Sequence, residues 1–142
     1  MSTAPEQRAL NAVEAALYAY STVGARLDAA GGAAAGAAHS ALRAQRDILH
    51  AWITGAGAKP SAPPAAYVLG PLTDVSAARR VALLSELALA DAFAILVRDE
   101  APARRASAAS WLAASAVRAV GWRAALGMTP TTVAFPGLSA PN

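Results

Sequence analysis

The sequence predicts an all-α fold, a four-helix bundle formed as one domain by all 142 residues. Hydrophobic residues make up 56% of the chain but aromatic residues only 6%. Alanine accounts for most of the difference, and it is the best helix former because it has no side-chain entropy to lose. β-branched residues are scattered, so strands have little support. Apolar residues recur at alternating steps of three and four, the spacing of one helix face.

The first helix is predicted from Pro5 to Ala30. Thr3 or Ser2 can cap its start, and proline suits the first turn. The glycines at 31 and 32 are predicted to end it. Its bundle seam consists of Leu10, Val13, Leu17, Tyr20, Gly24 and Leu27.

The second helix is predicted from Ala37 to Thr54, with Gly55 and Gly57 stopping it. The segment that follows, Gly55 to Val75, contains four prolines and cannot be a regular helix. A helix of that length is about 25–30 Å long, and about 20 extended residues can return to its starting end. The segment is therefore predicted to be a long crossover, with a loose linker between two hairpins as the alternative.

The third helix is predicted from Ser76 to Arg98, capped by Asp74 or Ser76. A short turn over residues 99–103 leads to the fourth helix, predicted from Arg104 to Leu126. The remaining residues, 127–142, contain three prolines and are predicted to form an extended tail.

Composition excludes several classes of protein. The chain has no cysteine, so disulfides and thiolate metal sites are absent. The net charge is +3, but the arginines are dispersed and acids lie near many of them, which argues against nucleic-acid binding. There is no signal-like segment and no uncharged apolar run of membrane-spanning length. We therefore expect a cytoplasmic protein with no nucleic-acid or membrane partner.

Charged residues within apolar seams are the first candidates for a functional site. Glu86 lies on an apolar line of the third helix, and Glu14 lies beside the seam of the first. Arg118 falls between Trp111 and Trp122 on the inward side of the fourth helix. An unpaired buried carboxylate is costly, and a guanidinium suits it geometrically.

The sequence thus predicts a buried polar cluster, which the two tryptophans would hold by stacking on the guanidinium. It comprises Glu14, Glu86 and Arg118, helped by Gln45, Tyr18 or Tyr20. The alternative is that some of these residues reach solvent at the edge of the bundle.

Asp47 and His50 have the carboxylate-x-x-histidine spacing that binds iron in some helical bundles. At about 100° per residue, however, Leu42, Leu49 and Trp52 occupy the opposite side of the second helix. Asp47 and His50 are therefore predicted to face solvent, where a metal would meet no partner helix.

Three segments of the chain, VEAALYAYSTVGARL, ALRAQRDIL and AFPGL, resemble a ferritin-like domain family of unknown function found in alanine-rich bacterial proteins. This resemblance covers nearly the whole chain and implies a ferritin-like bundle with one crossover between the second and third helices. It also implies that Glu14 and Glu86 match the single carboxylates of the superfamily's di-iron site. The fourth helix has no Asp, Glu or His between Arg104 and Leu126, so the site is expected to be degenerate, without metal or other cofactor.

The favoured function is a non-enzymatic bundle that acts as an interaction or structural protein with an unidentified partner, and that forms a homodimer. Apolar residues surround nearly the whole third helix, and Leu84, Leu87 and Ile95 lie on the side expected to pair with a second copy. The alternatives are a metal-binding oxidoreductase using Glu14 and Glu86, and a small-ligand binder using the bundle core.

Overall fold

The computed structural model describes residues 2–138 and shows a four-helix bundle with no strand among those residues. The helices are α1 (Ala4–Val23), α2 (Ala29–Gly55), α3 (Val75–Asp99) and α4 (Pro102–Ala125). A single 3-10 turn, Gly24–Arg26, joins α1 to α2. The all-α prediction is confirmed. The last four residues of the predicted tail lie outside the described residues.

Contacts at the two ends of the bundle define the course of the chain. At one end, Gln7 of α1 binds Lys59 just after α2, and Arg104 of α4 approaches Glu6. At the other end, Arg79 of α3 binds both Asp28, before α2, and Ala125 at the end of α4. Helices α2 and α3 therefore run in the same direction, antiparallel to α1 and α4.

The segment between α2 and α3 is the crossover, and it is tied to the bundle near both of its ends. The Gln7 side chain donates to the Lys59 carbonyl at 2.8 Å and accepts from the Ser61 amide at 2.9 Å. At the far end, the Arg26 guanidinium donates to the Leu72 carbonyl at 3.0 Å. These bonds hold an irregular backbone against the helices, so the loose linker is ruled out.

The boundary between α1 and α2 differs from the prediction, because the two glycines begin a helix rather than end one. Asp28 caps α2, and its side chain accepts from the Gly31 amide at 2.8 Å. A Cβ at position 31 would lie 2.9 Å from the Asp28 carboxylate and 3.1 Å from Leu27 Cβ. Glycine here makes room for the cap, so α2 begins eight residues earlier than predicted.

The other helix ends lie close to their predicted positions. Asp74 caps α3 by accepting from the Ala77 amide at 2.7 Å. Helix α4 begins at Pro102, two residues before the prediction, because proline lacks the amide hydrogen that the first helical turn leaves unused. The core between the helices is mostly alanine and leucine, and Phe93 is its largest fully buried side chain. In the described part of the chain no helix has the length and apolar character needed to cross a membrane.

Candidate functional site

A hydrogen-bonded polar network lies inside the bundle, centred on the fully buried Glu86 of α3. Its Oε1 accepts from the Tyr20 hydroxyl at 2.6 Å and from Arg118 Nε at 2.7 Å. The Trp122 indole donates to the Tyr20 oxygen at 2.9 Å, and Arg118 also reaches the Ser115 hydroxyl at 3.2 Å. Helices α1, α3 and α4 thus meet in one network of five side chains.

The electrostatics of this network follow from its burial. Burial, the negative charge of Glu86 and the hydrogen bond to it raise the pKa of Tyr20 above its usual range, so the phenol stays protonated. Arg118 supplies the counter-charge and keeps 19% of its side chain exposed. Glu86 Oε2 is buried without a hydrogen-bond partner. One carboxylate oxygen therefore carries every contact of this buried charge.

Of the six residues named for the predicted cluster, the structure joins three: Glu86, Arg118 and Tyr20. Tyr18 packs against Tyr67 of the crossover, with ring centroids 5.3 Å apart. Gln45 is buried, but its side-chain oxygen has no hydrogen-bond partner. Among residues 2–138, no hydrogen bond or ion pair joins Glu14 to Glu86 or Arg118.

Glu14 instead faces α2, where its Oε1 lies 3.9 Å from His50 Nε2. That nitrogen is buried and has no hydrogen-bond partner. His50 keeps 45% of its side chain exposed, as its predicted place on the solvent face implies, but its ring also turns towards α1, which the prediction did not include. Asp47 is exposed as predicted and pairs with Arg46 at 3.0 Å.

The predicted stacking of tryptophans on Arg118 was also wrong. Trp111 stacks on Trp52 of α2, with ring centroids 5.2 Å apart and planes inclined by 24°. The arginine over an aromatic ring is Arg104, whose guanidinium carbon lies 5.0 Å from the Trp52 centroid. Trp122 serves the network as a hydrogen-bond donor, a role that the spacing of side chains along a helix does not reveal.

A pair of buried acidic side chains lies at the end of the bundle, where the turn between α3 and α4 meets α1. Glu6 and Glu100 are both buried, and Arg104 lies 3.5 Å from Glu6. Burial, followed by the hydrogen bond and charge of Glu6, raises the pKa of Glu100. Sequence reasoning missed this pair, because Glu6 lies in α1 and Glu100 in the turn after α3, and only the packing at the bundle end brings them together.

An apolar groove lies between α3, α4 and the tail, with a volume of about 800 Å³. Gly137 seats the tail on α3 with a φ of 82°, and a Cβ there would lie 2.7 Å from the Ala90 carbonyl oxygen. We call this groove and its rim the apolar face. Three of its large apolar side chains are between 68% and 75% exposed: Val117, Phe135 and Leu138. Leu84, one turn before the groove-lining Leu87 on α3, is 65% exposed and continues this surface.

The described residues contain no cluster of three or more His, Asp or Glu side chains placed to hold a metal ion. Glu86 has an arginine as its partner, and Glu14 lies beside a single histidine. These residues do not fit the four-carboxylate, two-histidine set of a di-iron bundle. What the arrangement does provide is an internal ion pair, a polar surface under the crossover and an exposed apolar face.

Comparison with known proteins adds a family and a structural relative. Residues 5–140 match the model of a domain of unknown function, DUF4439. The fold is similar to the crystal structure of a conserved hypothetical protein, rv2844, from Mycobacterium tuberculosis. The two chains are 29% identical with a TM-score of 0.83, and the match covers 94% of this chain and 95% of the other. No curated protein matches the sequence.

Proposed function

We propose that this chain, which belongs to the DUF4439 family, is a non-catalytic helical bundle that works by self-association through its apolar face. The observation that carries the proposal is the exposure of Val117, Phe135 and Leu138 around one groove, with the exposed Leu84 one turn from the groove-lining Leu87. Contiguous exposed apolar surface beyond a few hundred Å² is rare on monomers and marks interaction sites. The partner proposed is a second copy of the same chain.

The geometry of the face supports a two-fold symmetric pairing. Leu84, Leu87 and Asp91 follow one another on the same side of α3 at steps of three and four. Across the groove, α4 contributes Val117 and Arg123. Each protomer would therefore offer both halves of the interface to its partner, as an isologous interface requires.

Charge complementarity favours the same pairing. Asp91 is exposed on α3, and Arg123 on α4 has a buried Nε with no hydrogen-bond partner. Both residues line the groove. In a two-fold dimer, Asp91 of one protomer can meet Arg123 of the other, and the same pair forms twice. An apolar centre flanked by two such pairs would give the dimer a fixed register.

The interior of the bundle supports the non-catalytic part of the proposal. We take the fold to be ferritin-like with a degenerate metal site, in which Arg118 has taken the place of a cation beside Glu86. The Arg118 guanidinium lies 2.7 Å from Glu86 and neutralises its carboxylate. Without this arginine, the buried carboxylate would need a metal ion or another cation as its counter-charge. A cytoplasmic location belongs to the same proposal, and cell fractionation would test it.

Light scattering at micromolar concentration tests self-association. The wild type is expected at twice the chain mass, and the double variant Leu84→Glu with Val117→Glu at the mass of one chain, because two charges would be buried in an apolar interface. Val68→Glu is the matched control, since Val68 is fully exposed on the crossover, away from the apolar face. It should leave the dimer intact. A monomeric wild type, or equal disruption by the control, would refute the proposal.

The non-catalytic part is tested separately by measuring bound iron. Protein produced in iron-supplemented medium should carry far less than one iron per chain and show no ferroxidase activity. Two irons per chain would contradict the proposed role of Arg118 and would favour the alternative, an oxidoreductase with a reduced carboxylate site.

A further inference from the structure

Beneath the crossover lies a cleft of about 280 Å³, separate from the apolar face, which we call the crossover cleft. Polar side chains line it from two helices. Glu14, Tyr18 and Ser21 follow one another along α1 at steps of four and three residues. His39, Arg43 and Arg46 do the same along α2, so each helix contributes one stripe. The lining residues that matter here are Glu14, Tyr18, His39, Arg43, Arg46 and Tyr67.

The roof of the crossover cleft is held in place. Tyr67 packs on Tyr18 with ring centroids 5.3 Å apart, and Pro63 and Pro64 restrict the backbone beside it. The hydrogen bonds from Gln7 and Arg26 fix the crossover on either side of this stretch. The cleft is therefore formed before any ligand arrives, which lowers the entropic cost of binding.

The charges in the cleft are arranged with opposite signs on different elements. Arg43 is exposed and takes part in no hydrogen bond or ion pair among residues 2–138. Arg46 lies beside it on α2 and is partly neutralised by Asp47. Burial, followed by the charge of Glu14 on α1, raises the pKa of the Tyr67 phenol. An arginine that lacks an internal partner suits an external carboxylate.

We propose that the crossover cleft binds a small aromatic carboxylate that carries a hydrogen-bond donor at its far end. The ligand carboxylate pairs with Arg43, its ring packs against Tyr18 and Tyr67, and its donor reaches Glu14. Each group supplies what one part of the ligand needs: a planar cation, an aromatic surface and an acceptor. The inference is independent of the proposed self-association, which uses the opposite pair of helices.

The crossover covers part of the polar surface that α1 and α2 form together. A segment anchored at both ends passes over this polar surface, so that Arg46 is partly buried and Glu14 largely buried, while Arg43 stays exposed. Glu14 has only 14% of its side chain exposed, and among residues 2–138 it makes no hydrogen bond; the His50 ring lies 3.9 Å away. A carboxylate so enclosed has acceptor capacity left for a ligand donor.

Titration with 4-hydroxybenzoate, followed by NMR, tests the proposal. Saturable shifts of the Arg43 side-chain signal and of the amides of residues 39–46 are expected, with a dissociation constant on the order of 1 mM for so small a ligand. Benzoate, which lacks the donor, should bind about tenfold more weakly. Phenol, which lacks the carboxylate, should not bind measurably at the same concentrations.

Matched variants identify the residues that hold the ligand. Arg43→Ala should weaken 4-hydroxybenzoate binding by about 10- to 100-fold, since it removes a charge-assisted contact. Arg80→Ala, which removes an exposed arginine from α3, should change nothing. Absence of saturable shifts would overturn the proposal. Phenol binding as tightly as 4-hydroxybenzoate would also overturn it, and so would an equal loss of affinity in Arg43→Ala and Arg80→Ala. Either result would show that Arg43 does not bind the ligand carboxylate.

Discussion

The buried ion pair makes a sharp prediction for Arg118→Ala. The change removes the 2.7 Å contact to Glu86 and leaves the carboxylate fully buried with Tyr20 as its only donor. The second carboxylate oxygen already has no partner, so nothing else in the described structure can take over the charge. The variant should therefore fold with a large loss of stability rather than a small one.

Two limits set the size of that loss. Removing one partner of a buried ion pair typically costs about 3–5 kcal/mol. The variant can also escape by protonating the carboxyl group, and for a glutamate of ordinary acidity at pH 7 this costs about 3.7 kcal/mol. The variant takes the less costly of these two routes, so we expect its free energy of unfolding to fall by about 3 kcal/mol at pH 7. At pH 5 the protonation route costs only about 1 kcal/mol, and the loss should shrink accordingly.

Urea denaturation of the wild type and Arg118→Ala at pH 7 and pH 5 measures both values. Arg80→Ala is the control for losing an exposed arginine. Adding Glu86→Gln to Arg118→Ala should recover much of the loss at pH 7, since no buried charge then remains. Arg118→Lys should recover only part of it, because an ammonium cannot reproduce the guanidinium geometry. A loss no larger than that of Arg80→Ala, or one independent of pH, would refute the reasoning.

Three further predictions concern the rest of the molecule. Because the pKa of Glu100 is raised in the folded state, the free energy of unfolding falls as the pH rises above about 4.5, the ordinary pKa of the group. Glu100→Gln should therefore raise the urea midpoint at pH 7 and make that midpoint less dependent on pH. Asp28→Ala removes the acceptor for the Gly31 amide and should cost about 1 kcal/mol in the same assay, whereas an unchanged midpoint would show that the cap is dispensable. Gly137→Ala should detach the tail from α3, because the added Cβ would collide with the Ala90 carbonyl oxygen. Amide hydrogen exchange should then become faster over residues 131–138 while the helices stay protected. Unaltered exchange would show that the close packing of Gly137 on α3 does not hold the tail.

Much of the fold was predictable because periodicity and prolines act locally. The ends of α3 and α4 lie within two residues of their predicted positions, and the proline-rich segment is the crossover. The boundary between α1 and α2 was not predictable in the same way. Two adjacent glycines usually end a helix, but Asp28 three residues before Gly31 caps a new one, and the cap determines the outcome.

The candidate sites were predictable only where one helix face determined the answer. Apolar seams place Glu86 and Arg118 inward, and the structure joins them. The neighbours of Glu14 depend on how α1 is rotated against α2 and on which rotamer His50 adopts. Neither the rotation nor the rotamer can be read from a single helix. The periodicity of α1 alone therefore predicted that Glu14 belongs to the buried cluster. The structure places it in the crossover cleft, beside Tyr67.

The crossover divides the bundle into two helical hairpins, and this has a consequence for the order of folding. Glu86 and Arg118 belong to the same hairpin, α3–α4, which closes through a connection of only two residues. That hairpin can neutralise its charge by local contacts before the slower closure of the long loop between α2 and α3. Tyr20 arrives with the other hairpin, and its hydroxyl then meets a carboxylate already paired with arginine. Docking of the two halves thus buries an ion pair rather than an isolated charge, which keeps the electrostatic barrier to assembly low.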